Sequence, residues 1–499
     1  MYRRNVSHLL LLLLCWPIGS CNQAGVKSED QMPPAEVRLP NIIYILVDDM
    51  GYGDLSCFGQ QTLKTPNIDH LAAEGMRFTR HYAGSTVCGP SRASLLTGKH
   101  TGHTSVRGNQ PSGQLLQVAE VTIPEVLKRA GYVTGMAGKW GVGHPPPPDD
   151  PLMNGFDQAF GYINMWHAHN FYPEFLYRNG QRQPIPGNVT DRTYPYEKYH
   201  PNGMPEGTGV AKERAQHTHP LFEQDALRFI ETNRDTTFFL YLALNIPHAN
   251  NEAGYFLGNG MEVPSYEPYA EKDWPDPEKG FAAMIDLIDG TVGRISSRVK
   301  ELGLDEDTLI IFTSDNGPHQ EGGHKADFFD SNGPLRGTKR DLYEGGIRMP
   351  TIARWPGRIE ADSQTDHISA FWDVLPTFCE LTGVAVPPQT DGISFLPTLL
   401  GQHAEQQQHP YLYWEFYEAG GKQAVLEGDW KLVKLNLRDE TEEVVTELYN
   451  IGEDIGETNN LANENPETVA RLEQYMKAAH TPFAGISLFK GGANAETAF

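Results

Sequence analysis

The stretch Ile42-Ile43-Tyr44-Ile45-Leu46-Val47-Asp48-Asp49 is an unbroken apolar run that ends in two carboxylates. Six β-prone residues without a polar interruption predict a strand buried on both faces of a parallel sheet. Adjacent acids at a strand's end repel each other unless a cation lies between them, which makes Asp48 and Asp49 candidate ligands for a hard metal ion. Alone, the pair reads sooner as solvated loop acids, so other parts of the chain have to decide.

The arrangement recurs three times. Tyr132 to Ala137 leads into Gly138, Lys139 and Trp140; Phe238 to Leu244 leads into Asn245, Ile246, Pro247 and His248; Leu309 to Thr313 leads into Ser314, Asp315, Asn316 and Gly317. Helical segments lie between them, at Ile123 to Ala130, Leu221 to Thr232 and Phe281 to Leu302. Strands alternating with helices predict an α/β fold around a mainly parallel, doubly wound sheet. Ligands of such sheets bind at the carboxyl ends of the strands, where Asp-Asp, Lys, His and Asp-Asn would here converge. The long polar loops at 145–216 and 317–336 are expected to wall a cleft there.

A second stretch, Cys88-Gly89-Pro90-Ser91-Arg92-Ala93-Ser94-Leu95-Leu96-Thr97-Gly98, reads as a short helix with Pro90 as its first residue and Gly98 as its cap. Cys88 would sit at the positive end, which predicts a thiol more acidic than a free cysteine, with Arg92 one turn away on the same face. A small buried cysteine at a helix entry is the alternative.

Cys-x-Pro-Ser-Arg followed by Leu-Thr-Gly resembles the signature of the type I, formylglycine-dependent sulfatases, and Gly337-x-Lys339 with Glu344-Gly-Gly-x-Arg348-x-Pro350 resembles a later signature of that family. The resemblance implies an alkaline-phosphatase-like catalytic domain, with its mostly parallel sheet between helices, followed by a smaller C-terminal antiparallel sheet with a packing helix. It implies calcium bound by Asp48, Asp49, Asp315, Asn316 and the side chain at position 88. It also implies that a maturation enzyme oxidises Cys88 to formylglycine. One hydroxyl of the hydrated aldehyde would attack sulfur and the other would later expel sulfate. Arg92 would hold this diol, Lys139 and Lys339 the sulfate oxygens, and His248 would protonate the leaving sugar oxygen. Glu344 and Arg348 are expected to form an ion pair that braces a glycine turn. One position departs from the family: Gly141 stands where a histidine usually follows Lys139 by two residues, and His144 is the nearest histidine to replace it.

The segments Trp166 to Pro173 and Gly322 to Asp327 resemble loops of bacterial exo-acting carbohydrate sulfatases, which implies a sulfated glycan fragment as substrate. Galactose or N-acetylgalactosamine 4-sulfate is the expected unit, with His169, His324 and Asp327 as substrate-binding residues. A phosphonate or phosphate monoester hydrolase of the same superfamily, or a non-catalytic lipoprotein that binds sulfated glycans, are the alternatives.

The N-terminus reads as an export signal at 1–20, with Arg3, Arg4, an apolar core and small residues before Cys21, which resembles a lipobox. Cys21 would carry lipid, 21–39 would be a tether, 40–395 the catalytic domain and 396–499 the C-terminal subdomain. The expected location is the bacterial cell envelope, with a lipid anchor as the one membrane contact. The formal charge of −24 makes nucleic acid an unsuitable partner. Cys57 and Cys379 could pair or lie buried apart.

Overall fold

The computed structural model describes residues 39–109, 115–117, 119–143, 150–483 and 486–492. The export signal, Cys21, the tether up to residue 38 and His144 lie outside the described residues. In chain order the first strands are β1 (Asn41–Asp48), β2 (Met76–Tyr82), β3 (Val133–Lys139), β4 (Gln158–Tyr162), β5 (Phe175–Arg178), β6 (Gln181–Pro184), β7 (Val189–Thr190) and β8 (Ala211–Glu213). They are followed by β9 (Phe238–Pro247), β10 (Thr308–Ser314), β11 (Arg348–Arg354), β12 (Ser363–Thr365) and β13 (Ser369–Ala370). The last four are β14 (Leu412–Phe416), β15 (Lys422–Glu427), β16 (Trp430–Leu435) and β17 (Val445–Asn450).

The central sheet runs β12-β2-β11-β10-β1-β9-β3-β4-β5-β6. Its middle, from β10 to β4, is parallel, as the apolar runs predict, while β11, β5 and β6 pair antiparallel. The expected loop at 145–216 therefore contributes strands to the sheet edge, because short half-polar segments such as Gln181–Pro184 complete a hairpin and need no apolar run. Alternation along β1 divides the core. Ile43, Ile45 and Val47 pack with residues of the helices Thr218–Thr232 and Asp276–Glu301 on one face, and Ile42, Tyr44 and Leu46 with residues of Ile123–Arg129 and Val374–Thr382 on the other. Cys57 belongs to the first face and Cys379 to the second, and both are free thiols.

Helix Asp276–Glu301 carries Asp276 and Glu278 in its first turn and Arg298 and Lys300 in its last, which complements the helix dipole. The antiparallel sheet β14-β15-β16-β17 and helix Pro466–Ala479 follow the C-terminal pattern expected from sequence. Among the described residues, no helix is long and apolar enough to cross a membrane.

The C-terminal sheet is tied to the rest by a buried ionic knot. Lys431 of β16 lies 2.8 Å from Glu344 and 3.0 Å from Glu457, and Arg348 reaches Glu344 at 3.3 Å, so the expected Glu344–Arg348 pair is part of a larger cluster. Lys431→Met would leave two buried carboxylates facing each other, at a cost of about 3–5 kcal/mol. The urea midpoint of the full chain should fall accordingly, and an unchanged midpoint would show that the carboxylates find other partners.

Candidate active site

Parallel order places the ends of β10, β1, β9 and β3 side by side, and each delivers its expected residue. Asp48, Asp49 and Asp315 bring one carboxylate oxygen apiece to within 4.8 Å of one another, all buried. Three cations meet them: Lys139 Nζ is 2.7 Å from Asp48, Lys339 Nζ 2.8 Å from Asp49, and Arg92 Nη2 2.8 Å from Asp315. Burial pushes the Asp48 carboxyl up, but the Lys139 and Arg92 cations hold it well below the usual carboxylate range. Asp315 is pushed up to about 7 by burial and by the charge of Asp48. Asp48 Oδ1 and Asn316 Oδ1 are buried without a hydrogen-bond partner. An all-oxygen donor set with orphaned lone pairs fits a hard divalent cation.

Cys88 opens the helix Cys88–Thr97, every residue of which is buried. The helix begins two residues before Pro90, contrary to the sequence expectation, and ends as expected at Gly98 in the left-handed conformation. Ser91 Oγ donates to Asp315 O at 2.5 Å, and Arg92 donates to the Asp315 carboxylate and to Lys139 O, each at 2.8 Å. These bonds clamp the helix against the strand ends. The expectation of an acidic thiol is corrected: burial pushes the Cys88 thiol up and Lys139 only partly offsets it. Complete enclosure outweighs the helix N-terminus.

The sulfatase family matches residues 40–384, and the N-sulphoglucosamine sulphohydrolase C-terminal family matches 337–481. The chain belongs to the sulfatase family. Sulfatases are sulfuric ester hydrolases. N-acetylgalactosamine-6-sulfatase of Rattus norvegicus is 34% identical over 73% of this chain and 66% of its own length, so the chain spans just under two thirds of that relative. N-acetylgalactosamine-6-O-sulfatase of Bacteroides thetaiotaomicron is 28% identical over 96% of this chain and 100% of its own. A solved Bacteroides thetaiotaomicron structure, from a study of glycosaminoglycan metabolism, superposes with a TM-score of 0.71 at 26% identity, over 88% of this chain and 99% of that one.

His248 of this sulfatase follows β9 and is buried. Its Nδ1 donates to Ala249 O at 2.7 Å, which leaves Nε2 to face Lys339 Nζ at 3.0 Å. Burial, then Lys339, drives its pKa well below the ordinary imidazole range, so the ring is neutral and Nε2 accepts from Lys339. His169 stacks on it with ring centroids 4.1 Å apart, and its Nε2 has no partner. Of the other two expected substrate-binding residues, His324 is bonded to Glu278 at 2.6 Å and stacked on Phe281, with its ring 5.3 Å from that of His319, which lies 5.9 Å from His248, and Asp327 lines a surface cavity with Gln60 and Phe328. A histidine and an acid in a loop give no sign of which way they face.

Two residues at the site were not foreseen. Glu321 lies 3.3 Å from Lys339 and holds Arg340 at 2.6 Å. Asn109 donates to Cys88 Sγ at 3.3 Å. Neither stands in a motif or at the end of an apolar run.

Gly141 has φ +76°, and a Cβ there would lie 3.1 Å from Arg92 Cδ and 3.3 Å from Lys139 Cε. A side chain at this position would press on the stems of two site cations and would have to take a left-handed backbone conformation. Gly141→Ala should lower turnover of an aryl sulfate roughly tenfold or more by displacing Arg92. Unchanged turnover would show that the arginine stem yields freely.

Proposed function

We propose that this sulfatase removes sulfate from N-acetylgalactosamine or galactose units at the end of a sulfated glycan, using formylglycine at position 88 and calcium. The observation that carries this reading is the meeting of Cys88, three carboxylates and three cations at one sheet edge. The relatives named for N-acetylgalactosamine 6-sulfate support the sugar, and they favour O6 over the O4 expected from the loops.

Asp48, Asp49, Asp315 and Asn316 would hold the calcium, which supplies Lewis-acid stabilisation of charge on the sulfate and on the nucleophile. Matured to formylglycine and hydrated, position 88 would supply two hydroxyls, one as the nucleophile toward sulfur and one whose proton loss would let sulfate go. Arg92, locked by Asp315 and Lys139 O, holds the side chain at position 88 in place. Lys139 and Lys339 are directed by Asp48 and Asp49 and supply the positive charge that a sulfate group needs. His248 works together with Lys339, because its Nδ1 is taken by Ala249 O and its Nε2 faces Lys339 Nζ at 3.0 Å. The proton for the leaving oxygen is therefore held by the Lys339–His248 pair.

The deciding experiment is a panel of 4-sulfated and 6-sulfated galactose and N-acetylgalactosamine with peptide mass analysis of Cys88. Release of sulfate from a 6-sulfated sugar is expected, with an aldehyde in place of the thiol, activity lost on chelation and restored by calcium better than by zinc. Full activity with an unmodified Cys88 or without metal would overturn the reading. His248→Ala should slow sugar sulfates far more than an aryl sulfate with an acidic phenol, since a good leaving group needs little protonation. Equal losses on the two substrates would remove His248 from proton transfer.

A further inference from the structure

The loop after helix Cys88–Thr97 returns to the nucleophile at Asn109. Its Nδ2 donates to Cys88 Sγ at 3.3 Å, and its Oδ1 accepts from Gly89 N at 3.0 Å. The Gly89 N–H requires an acceptor, so the NH2 end of the carboxamide must face residue 88. A Cβ at Gly89 would come within 2.7 Å of Asn109 Oδ1, so glycine next to the cysteine leaves room for this amide.

The amide is held from outside the catalytic sheet. Asn109 N donates to Glu418 at 2.6 Å, just beyond β14. Two residues earlier, Arg107 donates to Glu415 of β14 at 2.7 Å and to Tyr417 Oη at 3.1 Å, and it also reaches Thr481 O at 2.6 Å. The direction of the Nδ2 donor is therefore fixed before any substrate arrives.

We infer that Asn109 is a hydrogen-bond donor to the matured side chain at position 88, positioned by Gly89 and Glu418. Here Cys88 Sγ stands in for an oxygen of that side chain, so the inference rests on the formylglycine reading. A carboxamide is no base near neutral pH, so Asn109 holds the oxygen and takes no proton from it. A preset donor facing an oxygen that gains negative charge acts as oxyanion stabilisation.

The test compares Asn109→Asp and Asn109→Ala with the wild type, with rates expressed per formylglycine counted by peptide mass. The aspartate keeps an acceptor for Gly89 N but removes the donor to residue 88. Both variants should lose about 100-fold in kcat with KM changed less than about threefold, as for removal of an oxyanion donor. Asn109→Asp should keep the wild-type melting temperature. A crystal structure of the matured wild type should place an oxygen of residue 88 about 3 Å from Asn109 Nδ2. Asn109→Asp with kcat within about threefold of wild type would overturn the inference and leave a loop staple, and so would a carboxamide turned away from residue 88. An active wild type whose Cys88 is unmodified would instead overturn the formylglycine reading, so the two failures are separable.

Discussion

Three carboxylates enclosed together at the ends of β1 and β10 are the costliest feature of the structure, and most of the site answers that cost. Buried charge is tolerated only when paired, and here Arg92, Lys139 and Lys339 each meet one of the acids. Glu321 is matched in turn by Arg340, so acids and cations balance in number, and His248 is neutral. A divalent cation in the pit would turn this balance into a surplus of positive charge. A sulfate monoester carries one negative charge, which that surplus would attract. Each cation that stabilises the apo pit is thereby already aimed at the place where substrate charge would come to rest.

Backbone geometry makes that meeting possible. The order β10, β1, β9, β3 is parallel throughout, so four strand ends lie in a row instead of alternating between the two edges of the sheet. Gly138, just before Lys139, has φ +111°, and a Cβ there would collide with Ala243 O of β9. The close approach of β3 to its neighbour brings the Lys139 ammonium to Asp48. A larger residue at 138 would separate the strands at the point where the cation is needed.

Sequence was informative wherever a residue's position follows from a strand. Asp48, Asp49, Lys139, His248, Asp315 and Asn316 each end an apolar run, and their convergence could be read from the alternation of strands and helices. Lys339 and Arg92 came from motif resemblance and join the same cluster. What could not be read depended on enclosure or on loop paths. The thiol of Cys88 is shifted up because the whole helix is buried, which a local helix-terminus argument does not include. His324 is fixed by its stack on Phe281 and its bond to Glu278, which no local pattern announces, and Glu321 and Asn109 arrive on loops without periodicity.

The C-terminal sheet is more than an appended layer. Trp414, Phe416, Leu426 and Val433 share one apolar cluster with Tyr82, Val87, Leu342 and Trp372, so the sheet packs directly behind the start of the Cys88 helix. Four of its polar residues reach the two segments that carry site residues without strand support. Lys422 binds Asp341, and Lys431 binds Glu344, on either end of the turn that follows Lys339. Glu415 and Glu418 fix Arg107 and Asn109 in the loop beside Cys88. The parallel sheet positions the carboxylates, Lys139 and His248, while the antiparallel sheet braces the loops that bring Lys339 and Asn109 to them. A mobile loop would lose ordering entropy each time it met the substrate, and bracing it beforehand removes that cost from the binding step.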